Sequence, residues 1–144
     1  MDLPFQRLHP DAELPAPAHP GDAGMDLRSV LDVVVGAGER ALVPTGLAVA
    51  IPEGHAGLVL PRSGLASRHG LTLANAPGLI DSGFRGEVTV AVVNLDRTEP
   101  VAIAKGDRIA QLVIVDIPEV RPTWAEQLTP SSRGTGGFGS SGTA

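Results

Sequence analysis

Gly78-Leu-Ile-Asp-Ser-Gly-Phe-Arg-Gly-Glu87 runs directly into Val88-Thr-Val-Ala-Val-Val-Asn-Leu95. In the second stretch Val88, Val90 and Val92 fall on one face and Thr89, Ala91 and Val93 on the other, the period-two pattern of a β-strand. In the first, Leu79 and Ile80 lead into a carboxylate, Asp81. Gly83 then permits a sharp reversal, because glycine takes positive φ without steric penalty. The segment is expected to form the tip of a β-hairpin that presents one acid, Asp81, and one aromatic ring, Phe84, at its mouth. Taken alone, these residues are better explained by an ordinary polar hairpin turn.

Outward from this stretch the chain keeps alternating short apolar runs with turn residues. Strands are expected at residues 3–8, Gly24 to Val30, Leu31 to Val35, Arg40 to Ile51 (interrupted at Pro44), Ala56 to Leu60, Leu71 to Asn75, Val101 to Ala104, Arg108 to Ile117 and Val120 to Trp124. Arg108 to Ile117 has apolar residues on both faces and is expected to be covered on both sides. His9 to Gly21, with Pro10, Pro15, Pro17 and Pro20, reads as an extended crossing. Arg62 to Arg68 is the one helical piece. The 18 glycines and 13 prolines among 144 residues favour many short strands over long helices. Aromatic residues are only 3%, so the core must come from Val, Leu, Ile and Ala. The expected fold is all-β, a jelly-roll-like distorted barrel with one short helix.

At this length one domain is expected, over residues 1–128. From Thr129 the composition changes. Ser131-Ser-Arg-Gly-Thr-Gly-Gly-Phe-Gly-Ser-Ser-Gly142 has almost nothing to bury, so residues 129–144 read as a flexible glycine-rich arm. A formal charge of −5 argues against a nonspecific nucleic-acid binder, which needs a basic face. With no cysteine, disulfide frameworks and thiolate chemistry are both absent. Met1 to Arg7 has no apolar leader and no stretch reaches membrane-spanning length, so a soluble cytoplasmic protein without membrane attachment is expected. His9, His19, His55 and His69 lack metal-ligand spacing and read as surface residues.

Five short stretches carry candidate chemistry. Asp22-Ala-Gly-Met-Asp-Leu27 sets two carboxylates around a glycine, where they could hold metal-bound waters or simply be solvated. Pro61-Arg-Ser-Gly-Leu-Ala66 opens the helix. Its free N–H groups, the fork of Arg62 and the hydroxyl of Ser63 suit phosphate oxygens, although Ser63 is equally readable as a plain N-cap. Asn75, just before the opening stretch, offers a donor and an acceptor such as a pyrimidine edge requires, or is a turn asparagine. Gln111, in Gly106-Asp-Arg-Ile-Ala-Gln111, is expected to share its face with Ile109 and Val113, so its amide must find partners or meet a ligand. Gly134, Gly136 and Gly139 spell a dinucleotide fingerprint, but no helix can follow with five residues left. What remains there is an arm with closely spaced N–H groups, Arg133 and Phe138, fit to close on phosphates and stack on a base.

In this order the stretches resemble the five motifs of the trimeric dUTPases, in a layout closest to the actinobacterial members: Ala23 to Leu27, Pro61 to Ala66, Gly78 to Glu87, Gly106 to Gln111, and Arg133 to Gly142. Single motifs are weak, but five in sequence are specific. The resemblance implies a homotrimer with three active sites at subunit boundaries and an arm that reaches a neighbour. It implies hydrolysis of dUTP to dUMP and pyrophosphate with Mg²⁺ on the triphosphate, which keeps uracil out of DNA and supplies dUMP for dTMP synthesis. Asp81 would hold the attacking water and the sugar 3′-hydroxyl. An aspartate is a weak base near neutrality, so positioning would be its larger part. Arg62, Ser63 and the Gly64 N–H, with Gln111 nearby, would hold the phosphate chain. Asp22 or Asp26 would touch Mg²⁺ through water. Arg133 and arm residues such as Gly139 and Ser140 would close on the outer phosphates, and Phe138 would stack on uracil. Asn75 with backbone groups of Leu79, Ile80 and the Thr89 region would read the uracil edge, and the Phe84 ring would exclude a ribose 2′-hydroxyl.

One departure stands out, since the family usually has Tyr at the position of Phe84. A dCTP deaminase is similar in fold but needs a Glu where this chain has Ala91, and Pro61 to Ala66 lacks the deaminase pattern Arg-Ser-Ser-x-x-Arg. A catalytically silent nucleotide sensor would be expected to have lost Asp81, Arg62 or the arm, and none is missing.

Overall fold

The computed structural model describes residues 1–137. Ten strands and one helix follow in order: β1 (Phe5–Arg7), β2 (Met25–Arg28), β3 (Val33–Val35), β4 (Arg40–Val49), β5 (His55–Leu60), α1 (Ser63–His69), β6 (Leu71–Leu73), β7 (Gly78–Ile80), β8 (Glu87–Asn94), β9 (Val101–Ile103) and β10 (Arg108–Asp116). One sheet has the order β1-β4-β8-β6, a second β2-β10-β5-β7, and β3 pairs with β9 in a small ribbon. Every pairing is antiparallel. Non-consecutive neighbours in both large sheets are what a jelly-roll-like all-β chain requires.

The alternation of β8 is realised residue by residue. Val88, Val90 and Val92 are buried, Thr89 is exposed, and Ala91 and Val93 are half-buried. Together with Leu27, Val43, Val59 and Leu112 the three valines form the main core. That core is aliphatic, as the shortage of aromatic residues demands.

The opening stretch does not form the expected hairpin. β7 pairs with β5 in the second sheet, whereas β8 pairs with β4 and β6 in the first. Residues 81–86 therefore carry the chain from one sheet to the other. The reason lies in burial: Gly78 and Ile80 face the interior beside β5, and a tight β7/β8 ladder would pull them out of it. Leu73 pairs with Val92, and the Ala74 N–H reaches the Ala91 carbonyl at 2.8 Å, so β6 is the strand that accompanies β8.

Pro44 does not interrupt β4 but displaces its register. The pairing with β8 slips between Pro44 and Ala48, a bulge centred on Gly46 at φ 67°. A Cβ at Gly46 would lie 2.6 Å from Cβ of His9, so only glycine fits. The Thr45 hydroxyl donates to the Val88 carbonyl at 2.6 Å, and the Gly46 N–H donates to Oε1 of Glu87 at 2.8 Å. A second slip, between Arg108 and Ala110, breaks the alternation expected of β10. As a result Ile109 is buried in the core while Gln111 and Val113 are half-buried on the outer face, so the three do not share a side. Val120 to Trp124 forms no strand and pairs with none of the strands among the described residues. Val120, Trp124 and Leu128 are exposed instead.

Candidate active site

Helix α1 begins one residue later than expected. Arg62 is the extended N-cap, with no side-chain capping bond, and Ser63 is the first helical residue. The hydroxyl of Ser63 is thus not spent on capping. Gly70 ends the helix in the left-handed region at φ 65°, where its N–H reaches Leu65, and a Cβ there would press on the Asp96 amide at 3.0 Å.

Two cavities gather most of the residues singled out from the sequence. The first, about 210 Å³, lies at the mouth between the large sheets and is lined by Asn75, Leu79, Ile80, Phe84, Glu87 and Thr89, over a floor that includes Val59 and Val90. It is smaller than a typical site for a whole drug-sized ligand, of roughly 300–1,000 Å³, and suits a single ring system. Gly78 makes room there, since a Cβ would stand 3.2 Å from Nδ2 of Asn75. Asp81 is exposed immediately after Ile80 and takes part in no ion pair among the described residues. Its carbonyl accepts the Phe84 N–H at 3.0 Å, which closes the turn. The Phe84 ring lies against Gly86, where a Cβ would meet Cζ at 2.7 Å.

The second cavity, about 480 Å³, is lined by Asp22, Gly24, Asp26, Arg62, Ser63, Gly64 and Gln111. Here Asp26 joins two arginines: Nε of Arg62 stands 3.1 Å from Oδ1, and Nη1 of Arg108 stands 3.2 Å from Oδ2. Nη1 of Arg62 also donates to the Arg108 carbonyl at 3.2 Å. Register explains the meeting. Asp26 pairs with Gln111, which pairs with Leu60, so the three stand in one row on one face of the sheet. Gln111 donates from Nε2 to the Pro61 carbonyl at 3.1 Å, and a Cβ on Gly24 would collide with its Oε1. Asp22 accepts the His19 N–H at 3.0 Å through Oδ2.

No group of three His, Asp or Glu side chains fit to hold a metal ion occurs among the described residues. Both oxygens of Asp26 are taken by guanidinium groups, whereas Asp22 uses one. The donor set therefore fits an ion that arrives with a ligand better than a resident one. Arg133 joins neither cavity, and its Nε donates to the Gly136 carbonyl at 2.8 Å within the exposed chain end. Phe138, Gly139 and Ser140 lie outside the described residues. No helix of the described residues is long and apolar enough to cross a membrane.

Arg85, Glu87 and Arg108 were not singled out beforehand. Arg85 and Glu87 sit in the quoted stretch but look like ordinary turn charges, and Arg108 acquires meaning only once β10 is paired with β2.

A deoxyuridine 5'-triphosphate nucleotidohydrolase of Mycolicibacterium gilvum is 56% identical over 145 aligned residues, covering 97% of this chain and 94% of that one. The dUTPase of Staphylococcus bacteriophage 80alpha, solved with dUPNHPP, superposes with a TM-score of 0.92 at 34% identity over 99% of each chain. A D-to-N variant of the dUTPase from phage phi11 of S. aureus, described for its coordination of a structural Mg(II) ion, gives a TM-score of 0.82 at 30% identity, covering 88% of this chain and 98% of that one. The dUTPase family matches residues 10–142, a span that takes in both cavities and the arm, and the chain belongs to that family.

Proposed function

We propose that the protein hydrolyses dUTP to dUMP and pyrophosphate at sites built from more than one chain. One observation carries the shared-site reading: the two cavities lie on opposite faces of the second sheet. Val59 lines the first and Leu60 the second, and successive strand residues point to opposite sides. A base in the first cavity would have to turn its phosphates around the sheet to reach the second cavity of the same chain. In a closed homotrimer with head-to-tail contacts, the base half of one subunit faces the phosphate half of the next. The exposed Val120, Trp124 and Leu128 supply apolar surface for such a neighbour.

Within each site, the Asn75 amide and the backbone of Leu79, Ile80 and Thr89 read the uracil edge. Cytosine reverses donors and acceptors and leaves buried groups unpaired, a penalty that reaches about 10⁴–10⁵ in discrimination where a site is built on such bonds. The Phe84 ring stands against the sugar and leaves no space for a 2′-hydroxyl. Asp81 orients a water in line with the α-phosphorus. Alignment is the main service that phosphoryl transfer needs, because its transition state is loose. Arg62, Ser63 and the Gly64 N–H hold the phosphate chain. The arm of residues 129–144, with Arg133, Phe138, Gly139 and Ser140, closes over the nucleotide. Mg²⁺ carried by the triphosphate would offset phosphate charge, and Asp22 is the side chain suited to touch it through water. Removing dUTP keeps uracil out of DNA, and the dUMP formed feeds dTMP synthesis in the cytoplasm.

The test is to supply dUTP, dCTP, dTTP and UTP with Mg²⁺ and to measure pyrophosphate and ammonia. Pyrophosphate from dUTP alone is expected. Ammonia from dCTP, or no turnover of dUTP, sinks the reading. Asp81→Asn should bind dUTP and lose most of kcat.

A further inference from the structure

We propose that Arg85 is a positioning residue for this site, holding the turn that carries Asp81 and Phe84; this rests on the dUTP-hydrolase reading above. Residues 81–86 cross from one sheet to the other, so no strand ladder braces them. Asp81 and Phe84 are both exposed, and side-chain packing in the core does not fix either. The geometry of the turn must come from inside it.

Two internal ties supply it. One is the Phe84 N–H to the Asp81 carbonyl at 3.0 Å. The other is the Arg85 guanidinium, whose Nη1 donates to the Ser82 carbonyl at 2.6 Å and to the Phe84 carbonyl at 2.7 Å. Nη1 carries two hydrogens, one for each carbonyl, and donors with full charge make the stronger bonds. Residues 82 and 84 flank the glycine that reverses the chain, so the guanidinium spans the most flexible point of the turn. The Arg85 side chain also lines a cleft with Pro4, Phe5, Gln6, Val49 and Ala50, where β1 meets β4. The turn therefore passes beside the first sheet while β7, which precedes it, belongs to the second. Gly86 makes room for the Phe84 ring, since a Cβ there would stand 2.7 Å from its Cζ.

A carboxylate that aims a water and a ring that screens a sugar both depend on sub-ångström placement, and a displacement of about 1 Å can cost on the order of 100-fold in rate. Arg85 touches neither the reacting atoms nor the phosphates in this arrangement. It acts through the backbone carbonyls of Ser82 and Phe84, in the turn that carries Asp81 and the Phe84 ring.

The experiment compares the full-length enzyme with Arg85→Ala and Arg85→Lys in kcat and KM for dUTP, in dUTP-over-UTP discrimination and in thermal midpoint. For Arg85→Ala a fall in kcat of about 10–100-fold is expected, with a smaller change in KM, weakened discrimination against UTP and a nearly unchanged midpoint. Arg85→Lys should fall between the two, and millimolar guanidinium should restore part of the Arg85→Ala rate where urea at the same concentration does not. Unchanged kcat and discrimination in an active background overturn the proposal alone. So does a loss that follows the thermal midpoint and is not relieved by guanidinium. A wild-type protein inert towards dUTP overturns the underlying reading and the proposal with it.

Discussion

Val59 and Leu60 are adjacent in β5 and line different cavities, one between the sheets and one on the outer face of the second sheet. This relationship sets a recess sized for one ring system and a cavity lined by Arg62, Ser63 and Gln111 on different sides of one strand. On the proposed reading, a base and its phosphates would be held by different chains.

Subunit complementation follows directly. Arg62→Ala spoils the phosphate half and leaves the base half intact, and Asp81→Asn does the reverse. Each variant alone is expected to be inactive. Co-expressed with different tags and purified as mixed trimers, the pair should recover roughly a third of the wild-type activity per site, because a mixed cyclic trimer has one intact site in three. Mixed assemblies as inactive as their parents would mean that each site lies within one chain.

Asp26 and Asp22 are expected to separate in their metal dependence. Asp26 holds Arg62 and Arg108 with both oxygens and is largely buried, at 14% side-chain exposure. Removing it in Asp26→Ala frees two guanidinium groups and lets Arg62 leave its orientation. A loss of about 1.4–2.7 kcal/mol in transition-state binding is expected, which is about 10–100-fold in kcat/KM. The Mg²⁺ concentration for half-maximal rate should stay as in the wild type. In Asp22→Ala that concentration should rise with little other effect. A shifted Mg²⁺ requirement in the Asp26 variant would return Asp26 to the metal and remove it as the anchor of Arg62.

How much of this was legible in the sequence divides by range. The alternation of Val88, Val90 and Val92, the helix after Arg62 and the aliphatic core all depend on residues near one another in the chain, and each was readable. The destination of β7 was not. Gly78 to Glu87 has the local chemistry of a hairpin, and only the competition between β5 and β8 for β7 decides the outcome. The slips at Gly46 and Ile109 were equally hidden, since a bulge moves side chains across a strand without a marked change in composition. In the site, the types of residue were visible but their grouping was not. Asp22 and Asp26 read alike as carboxylates that could touch a metal through water, and the pairing of Asp26 with Arg62 and Arg108, remote in sequence, could not be seen.

Asn94, which carries no catalytic part, is expected to be among the costlier positions for stability. It is fully buried at the end of β8, and Nδ2 donates to the carbonyls of Val35 at 3.1 Å and Glu99 at 2.8 Å while Oδ1 accepts the Asp96 N–H at 2.9 Å. Asn94→Ala strands three backbone groups and should cost about 2–3 kcal/mol, read as a lower urea midpoint with an unchanged slope. The neighbouring turn adds a pH dependence. The N–H groups of Glu99 and Thr98 hold the Asp96 carboxyl below its ordinary range. Because the folded value is depressed, the stabilisation is present above the unfolded value of about 3.9 and is lost as pH falls through the folded one. Asp96→Asn should therefore flatten the acid limb of the stability profile and leave activity near neutrality intact. An acid limb identical to the wild type would show that this carboxylate does not contribute to it.

Trp124 offers a reading of the chain end that needs no substitution. It is the one tryptophan in the sequence and is fully exposed in the single chain. A large ring left in water, beside exposed Val120 and Leu128, is more stable against apolar surface, and fully burying such side chains is worth about 1.5–3 kcal/mol each. If a neighbouring subunit provides that surface, the native emission maximum should lie well to the blue of the urea-unfolded protein. Dilution that dissociates the oligomer should shift it red in step with loss of dUTPase activity. Trp124→Ala should weaken assembly while leaving the fold of the strands, judged by far-UV circular dichroism, unchanged. A native emission already at the unfolded position, in a protein that is oligomeric and active, would mean that the segment from Val120 to Leu128 stays in solvent and that the subunits associate through the sheets alone.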